Sequence, residues 1–149
     1  MKASEVINEF LSAIEKNDFK KAESYTSNDF VVEGVGPTNL NRTEFLNVHR
    51  SLNTGLPDFS FNHKIVKETG DQVDLKVKLT GTHKRDMQAP IPGLGTIKAT
   101  NKNVRMPEEN ITATIKNDKI TKIRVQQVSG GGLPGLLKQI GVDLHEHAH

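Results

Sequence analysis

The chain has 149 residues, which fits a single domain spanning 1–149 with a core large enough to enclose a pocket. It contains no cysteine, which excludes disulfides and thiolate chemistry, and it shows neither a secretory signal nor an apolar run of membrane-spanning length, so we predict a cytoplasmic protein without membrane contact. Its net charge of +2 comes from 20 basic and 18 acidic residues that are interleaved, and with no Trp and one Tyr to stack on bases it is not expected to bind nucleic acid.

Helical periodicity dominates the first third of the chain. Apolar residues recur every three or four positions over residues 4–16, which predicts an amphipathic helix with Ser4 as its N-cap. Asp18 is expected to cap a second, short helix. Asn41 lies three residues before a glutamate, a capping-box variant that predicts a third helix over about 42–53. Three helices are therefore expected to precede the sheet.

Beyond the third helix the apolar residues alternate with polar ones, as in strands with one buried face. Residues 59–79 predict one hairpin, and residues 111–125 predict another that turns at Asn117-Asp118. Between them, residues 85–107 form a long excursion with proline and glycine close together, and a short helix is predicted around 136–140. Helices first and a curved antiparallel sheet afterwards indicate the α+β class.

Three short motifs follow one another along the chain: Gly81-Thr82-His83 at the end of a long strand, Asp118-Lys119-Ile120 at a hairpin, and Gly135-Leu136-Leu137-Lys138-Gln139-Ile140-Gly141 in the last helix. In this order they resemble the SnoaL-like polyketide cyclase and ester cyclase family of the nuclear transport factor 2-like superfamily. The resemblance implies a cone-shaped, cystatin-like α+β barrel, with N-terminal helices packed on a strongly bent, mixed, mostly antiparallel sheet. It also implies a pocket for one small apolar ligand, a homodimer, and ring closure by an intramolecular aldol step without metal or organic cofactor.

The mechanism that the resemblance implies uses an aspartate on the last strand as acid and base, and this chain departs from it there. Matching Asp118-Lys119-Ile120 to the family's hairpin puts that aspartate at about Val128, and no Asp or Glu lies within residues 119–128. An aldol cyclase needs a base within hydrogen-bond reach of its carbon acid. The sequence therefore predicts a small-molecule-binding protein with an apolar internal pocket. The alternative is a cofactor-free cyclase, isomerase or hydrolase that acts on an apolar carbonyl compound through a relocated acid or base.

Two other enzyme types of the superfamily have recognisable residue sets. Its epoxide hydrolases resemble one another in an Asp-Arg-Asp set with an Arg and an Asp two positions apart, and no Arg-x-Asp occurs in this chain. The ketosteroid isomerase relatives need a tyrosine and a carboxylic acid that converge in an apolar cup. Tyr25 with Glu109 mimics that arrangement only loosely.

The last hairpin decides which polar side chains meet in the pocket. Counting from a two-residue turn at Asn117-Asp118 places Glu109 opposite Gln126 and diagonal to Arg124, on the face that also carries Val128. The family implies that this face lines the pocket, which makes Arg124, Gln126 and Val128 candidate ligand contacts. Glu109 is a candidate acid or base, and with Arg124 it forms either a substrate-orienting pair or a plain cross-strand ion pair.

The opposite face of this hairpin is the predicted dimer interface. It carries Thr112, Thr114, Ile123 and Val125. Because Ile123 and Val125 are apolar, they also favour burial of this second face inside the domain. A homodimer assembled through the outer face of the sheet would bury them equally well.

Histidines supply the remaining candidates. His83 is predicted at the pocket rim, where it either acts as an acid or base and orients a ligand carbonyl, or bonds to a backbone carbonyl. His63 has the parity of Phe61, so both are expected to face the ligand unless His63 is a satisfied core histidine. The last residues, about 142–149, are predicted to form a loose tail, and its three histidines indicate no metal site because no fourth ligand is present.

Overall fold

The computed structural model describes residues 1–91 and 93–142, so the tail predicted for about 142–149, with its three histidines, lies beyond Val142 outside the described residues. The described residues form four helices: α1 (Ala3–Glu15), α2 (Phe19–Ser24), α3 (Arg42–Gly55) and α4 (Gly132–Gln139). They also form ten strands: β1 (Thr26–Glu33), β2 (Leu40–Asn41), β3 (Lys64–Thr69), β4 (Gln72–Val77), β5 (Thr80–Thr82), β6 (Met87–Gln88), β7 (Thr96–Ile97), β8 (Asn103–Arg105), β9 (Glu109–Lys116) and β10 (Lys119–Val125).

Six of the strands form one mixed sheet in the order β2-β1-β10-β9-β4-β3. Strand β1 runs parallel to β10, and the other neighbours in this sheet are antiparallel. Two short ladders, β5 with β8 and β6 with β7, build the long excursion. Helices α1 and α3 pack against the six-stranded sheet, and α4 packs against β8. The α+β class with N-terminal helices on a mixed, mostly antiparallel sheet is confirmed.

Helix α1 forms where its periodicity predicts it, but its cap differs. Its buried residues are those with helical spacing: Val6, Ile7, Phe10, Leu11, Ala13 and Ile14. Ser4 lies inside the first turn rather than at the N-cap, and its N–H donates to Glu68 Oε1 on β3 at 2.6 Å. The N–H of Lys2 donates to Glu5 Oε1 at 3.2 Å. The Glu5 carboxylate thus satisfies a terminal donor and lies at the positive end of the helix dipole, which stabilises the helix.

The caps of α2 and α3 follow the sequence. Asp18 accepts a hydrogen bond from the N–H of Lys21 at 3.2 Å. Asn41 and Glu44 form a reciprocal capping box, in which each side chain accepts from the other residue's N–H at 2.9 Å. The box fixes the start of α3, and with it which residues of this helix face the sheet.

The hairpin of β9 and β10 contains a bulge. Its turn at Asn117-Asp118 has positive φ at both residues, 53° and 60°, as a type I′ turn requires. Beyond the turn, the register shifts between Ile120 and Lys122, and Thr121 is left without a partner in the ladder. One extra residue in a strand moves every following side chain to the other face of the sheet.

The bulge overturns part of the predicted pocket. Ile123 and Val125 face the core, with 6% and 9% of their surface exposed, whereas Arg124 is exposed on the outer face. The prediction that Arg124 and Gln126 share the inner face with Glu109 is wrong, because it counted an unbroken ladder from the turn.

The predicted dimer interface changes for the same reason. Ile123 and Val125 belong to the core, so only Thr112 and Thr114 of the predicted set lie on the outer face. The outer face is polar where Thr112 donates to Asp74 Oδ1 at 3.1 Å. An interface made of all four predicted residues is therefore excluded.

The hydrophobic core lies between the helices and the inner face of the sheet. The rings of Phe10, Phe30 and Phe45 form its aromatic centre, with centroids 5.8 to 6.2 Å apart. Gly34, at φ +89°, follows β1 where a Cβ would lie 1.9 Å from the carbonyl oxygen of Val125, so this close approach of two backbones requires glycine. No helix in the described ranges is both long and apolar enough to cross a bilayer.

Candidate active site

A cavity lies between the inner face of the sheet and the helices. Its volume is about 80 Å³, counted as the space open to the centres of water molecules. One water needs roughly 10–15 Å³ by this measure, so the cavity can hold a small organic molecule. Residues from α1, α3, β1, β4, β9, β10 and α4 line it. Among the described residues of this lining, His49 and Glu109 are the polar ones, and the others are apolar apart from Gly132.

Glu109 is the first residue of β9, where it pairs with Val77 of β4. Only 4% of its surface is exposed, because its side chain points inward with those of Ile111 and Ala113 on the same strand. Burial raises the pKa of the Glu109 carboxyl, and the backbone N–H of Gly132 acts in the opposite direction. Glu109 is thus a carboxyl group inside an apolar cavity, as a candidate acid or base should be.

His49 lies on α3, on the side of the helix that faces the cavity. Its ring is 5% exposed, and the centroids of Phe45, Phe59 and Phe61 lie 4.6, 5.6 and 5.2 Å from it. Burial lowers the pKa of His49 to about 3, so the imidazole is neutral at physiological pH. Its Nδ1 is buried and has no hydrogen-bond partner within the described part of the chain.

The sequence interpretation missed His49, although a signal was present. Phe45, His49 and Leu52 lie on one side of α3 with helical spacing, so the histidine occupies a core position of an amphipathic helix. A polar residue at such a position needs a partner inside the fold or inside a pocket. The apolar periodicity of α3 predicts the helix, and His49 is a polar exception within its apolar face.

His83 does not reach the cavity. It is fully buried, and its Nδ1 lies 3.0 Å from Thr100 Oγ1. Its backbone N–H donates to the carbonyl of Lys102 at 3.0 Å, and its carbonyl accepts from the N–H of Asn101 at 2.8 Å. Burial lowers the pKa of the His83 imidazole. The prediction that His83 converges with Glu109 on one pocket is wrong, because His83 ties the end of β5 to the segment before β8.

Phe61 lines the cavity as predicted, but His63 does not. The chain from 60 to 63 is irregular, so the two-residue parity that linked these residues fails there. His63 is half-buried, and its Nε2 lies 2.7 Å from Asn8 Oδ1 on α1. His63 therefore joins β3 to a helix on the surface and is not a ligand contact.

Arg124 and Gln126 have partners on the outer face. Arg124 Nε donates to Glu33 Oε1 at 3.2 Å, so the cation predicted to pair with Glu109 pairs with another carboxylate. Gln126 is exposed, and its N–H donates to the carbonyl of Asn110 at 2.9 Å. Neither residue can contact a ligand in the cavity.

Val128 lies beyond the end of β10 and does not line the cavity, yet it lies close to Glu109. A Cβ added at Gly131 would lie 2.8 Å from Val128 Cγ2 and 3.3 Å from Glu109 Oε2, so both side chains approach the same glycine. The position that the resemblance gives to the family's aspartate is therefore next to a carboxyl group that comes from the neighbouring strand. No three His, Cys, Asp or Glu side chains within residues 1–91 and 93–142 are grouped so that they could hold a metal ion.

Comparison with known proteins gives one family and one fold. The model of the SnoaL-like polyketide cyclase family matches residues 5–127. IdmH of Streptomyces antibioticus, a candidate polyketide cyclase, is 20% identical with a TM-score of 0.70 over 95% of this chain and 100% of that chain. A candidate polyketide cyclase of Pseudomonas putida KT2440 is 16% identical with a TM-score of 0.63 over 86% of this chain and 92% of its own.

An LEH-like epoxide hydrolase of M. tuberculosis has the same fold, with 18% identity and a TM-score of 0.60 over 93% of this chain and 91% of its own. No curated protein sequence matches significantly. At these identities the structural likenesses show the fold, and the chemistry has to be argued from the cavity.

Proposed function

Because this chain belongs to the SnoaL-like polyketide cyclase family, we propose that it is a cofactor-free acid–base enzyme that acts on a small, uncharged, largely apolar carbonyl compound. Glu109 is the group that takes up and returns the proton. Its placement in the cavity, beside the position at which the family has its aspartate, is the observation that carries the proposal.

A buried carboxyl group without a cationic partner is unfavourable for folding, so its presence in an apolar cavity points to a role. The raised pKa of Glu109 makes its ionised form a stronger base than a carboxylate in water. The surrounding apolar side chains keep water away from the proton in transfer. These features support Glu109 as the relocated base, the alternative that the sequence left open.

The reaction class follows from one base in an apolar cavity. The Glu109 carboxylate takes a proton from the carbon next to a carbonyl group, and the C–H electrons form an enolate. In a ring closure, the enolate carbon attacks a second carbonyl carbon of the same molecule, one C–C bond forms, and the resulting alkoxide takes the proton back from Glu109. In an isomerisation of a β,γ-unsaturated carbonyl compound, the enolate extends over the C=C bond, the same proton returns to the γ-carbon, and the double bond moves next to the carbonyl group. Both sequences balance without an oxidant or a second reactant.

Hydrolysis is less well supported. A hydrolase has to hold and activate a water molecule, and the lining offers one carboxyl group and one neutral imidazole among its described residues. The likeness to an epoxide hydrolase shows the fold only. Binding without turnover is the other outcome that the test must be able to detect.

The test uses a generic carbon acid, 5-nitrobenzisoxazole. A base removes its C3 proton, the N–O bond breaks, and the coloured nitrophenolate that forms is followed by absorbance. We expect saturable turnover that falls at least about 100-fold in Glu109→Gln, since positioned general bases contribute about 10²–10⁴ in rate. The rate should rise with pH around a midpoint above the ordinary carboxyl pKa.

Glu108→Gln is the matched control. Glu108 is the preceding residue, and its exposed carboxylate lies 3.4 Å from Lys76 Nζ. Turnover in this variant should stay within twofold of the wild type. Equal turnover in Glu109→Gln and wild type would contradict the proposal, and saturable binding with no turnover in the wild type would identify a binding protein.

A homodimer and a cytoplasmic location remain proposals. The outer face that would form the interface carries Glu33 within 3.3 Å of Lys122 Nζ and 3.2 Å of Arg124 Nε, so contacts there would be polar and sensitive to salt. Light scattering at micromolar concentration should show a dimer at low salt, and a monomer at both low and high salt would contradict it. Fractionation of the native host cells tests the location.

A further inference from the structure

We propose that His49 is a second ligand-binding group, which donates a hydrogen bond to the carbonyl oxygen of the ligand. Together with Glu109 it favours uncharged carbonyl compounds over carboxylate anions of similar size. The inference deepens the proposed function and rests on it for the orientation of the ligand, whose carbonyl would face His49 while the adjacent C–H faces Glu109. The binding experiment that tests it needs no turnover.

The unpaired nitrogen of His49 is the first observation. Its Nδ1 is buried with no partner in the described part of the chain, and the residue lines the cavity. Buried polar atoms in folded proteins nearly always have a partner, and an unpaired one destabilises the fold. A ligand oxygen that displaces the atoms now covering Nδ1 would provide that partner. A neutral imidazole has one N–H, and the tautomer protonated at Nδ1 donates it.

The second observation is that the ring is held in place. Phe45 and Phe59 are arranged T-shaped to the imidazole, with angles of 61° and 67° between the ring planes, and the Phe61 ring is tilted at 46° to it. The ring is also attached to a helix whose start is fixed by a capping box. A donor held by its neighbours loses little freedom when a ligand binds, so it contributes to affinity and to orientation.

The charge of the lining is the third observation. No lysine or arginine lies among the described residues that line the cavity, and the lining already contains the Glu109 carboxyl. An anionic ligand would lose its hydration without gaining a counter-charge and would lie near a second potential anion. An uncharged carbonyl compound avoids both penalties and still uses the Nδ1 donor.

Three probes of similar size separate these contributions: acetophenone, ethylbenzene, which lacks the oxygen, and benzoate, which is ionised at pH 7. NMR titration of the ¹⁵N-labelled protein at pH 7 reports affinity and the state of each imidazole. We expect acetophenone to bind and to shift the ring nitrogens of His49, ethylbenzene to bind without the carbonyl-dependent shift at Nδ1, and benzoate to bind at least tenfold more weakly than acetophenone.

Two variants separate the hydrogen bond from packing. His49→Phe keeps an aromatic ring and should weaken acetophenone about three- to tenfold, the range of one neutral hydrogen bond, while changing ethylbenzene less than twofold. His49→Gln restores a donor and should recover part of the loss. If His49→Phe fails to fold, the wild-type shift at Nδ1 still decides the hydrogen bond.

Each contrary result would refute one part of the proposal. Equal weakening of acetophenone and ethylbenzene in His49→Phe, or the same Nδ1 shift with both, would show that His49 only packs. Benzoate that binds as tightly as acetophenone would refute the charge selectivity, and no binding by any probe would refute the site. Because Glu109→Gln should bind acetophenone with the Nδ1 shift intact, failure of the acid–base proposal is distinguishable from failure of this one.

Discussion

Glu109 and Glu33 lie on opposite faces of the same sheet and behave in opposite ways. Arg124 and then Lys122 donate to the Glu33 carboxylate and hold its pKa below the usual range, whereas burial raises the pKa of Glu109. The difference shows that the face of the sheet on which a carboxyl group lies decides the direction of its pKa shift. The bulge at Thr121 decides the faces of β10, since it directs Arg124 to Glu33 and leaves the described residues of the cavity lining without a cation.

Inserting one alanine between Lys122 and Ile123 should have the largest effect on this arrangement. With the bulge and the pairing of Lys122 with Thr114 kept, the inserted residue would lie opposite Ala113, and Arg124 would move to the inner position opposite Ile111 that Val125 now holds. A buried charge that loses its partner destabilises a protein by about 3–5 kcal/mol, so we expect a loss of that order or failure to fold. Urea unfolding measures it.

Thr121→Ser keeps the chain length and the hydroxyl that donates to the carbonyl of Thr114 at 3.3 Å. Its stability should therefore stay close to that of the wild type. An insertion variant as stable as Thr121→Ser, with Arg124 still on the outer face, would show that the number of residues after the turn does not set which side chains of β10 face the core.

The free energy of unfolding at acidic pH tests His49, which is the other polar residue of the cavity lining beside Glu109 among the described residues. Its pKa is lowered to about 3 in the folded state, so below its ordinary value near 6.5 the unfolded chain binds a proton that the native state does not. Stability from this group is therefore lost as pH falls from about 6.5 toward 3, with a slope of up to about 1.4 kcal/mol per pH unit.

His49→Phe should remove this part of the slope, which amounts to about 2 kcal/mol between pH 6.5 and 5. Denaturant unfolding at several pH values measures the difference between the two proteins. Identical slopes in wild type and His49→Phe would mean that the buried ring takes up a proton in the native state.

Removing charge from the two glutamates should change stability in opposite directions at neutral pH. Glu109→Gln removes an unfavourable buried charge and should stabilise the protein by about 1–2 kcal/mol at pH 7. Glu33→Gln removes a charge that Arg124 and Lys122 stabilise, so a small loss is expected. Thermal unfolding of both variants beside the wild type gives the signs.

The pH dependence of this pair follows from the two pKa shifts. The raised pKa of Glu109 means that the native state takes up its proton first as pH falls, so the advantage of Glu109→Gln should disappear toward the ordinary carboxyl pKa. The lowered pKa of Glu33 gives stability that is present above its ordinary pKa and is lost as pH falls through its folded value. Two variants that shift stability in the same direction at pH 7 would contradict the contrast between the faces.

Local chemistry made much of this fold predictable from the sequence. The Asn41 capping box and the Asp18 cap act over three residues, and the turn at Asn117-Asp118 is set by the residues in it. Glu109 and Phe61 could be predicted at the cavity for a similar reason. Each lies outside β10, so the bulge does not change the direction of its side chain.

The features that could not be predicted depend on contacts between distant segments. Thr121 is a common strand residue, and nothing beside it in the sequence marks the extra position in the ladder. The excursion that buries His83 brings Thr100 back to it from 17 residues away, which no period of two or 3.6 encodes. His49 was accessible to sequence reasoning, since it interrupts an apolar helix face, but the pocket that makes it useful is formed by strands far along the chain.

The smallest effect on stability and ligand affinity is expected for Arg124→Leu. The result is informative because a ladder without the bulge would put Arg124 in the cavity and predict a change in affinity. If Arg124 lined the cavity, this change would alter ligand affinity. The side chain is instead 67% exposed and donates to Glu33, which keeps Lys122 as a second partner at 3.3 Å. Exposed ion pairs contribute little to stability, so the unfolding midpoint should hardly move.

Acetophenone affinity and turnover of 5-nitrobenzisoxazole in Arg124→Leu should both stay within twofold of the wild type, and the two assays used for Glu109 and His49 measure them. Ile123→Ser is the matched comparison on the same strand, because Ile123 lines the cavity and is 6% exposed. It should weaken acetophenone where Arg124→Leu does not. Loss of affinity in Arg124→Leu with no change in Ile123→Ser would show that the faces of β10 are the reverse of those described, and Glu109 would then have beside it a cation that the described residues of the lining do not provide.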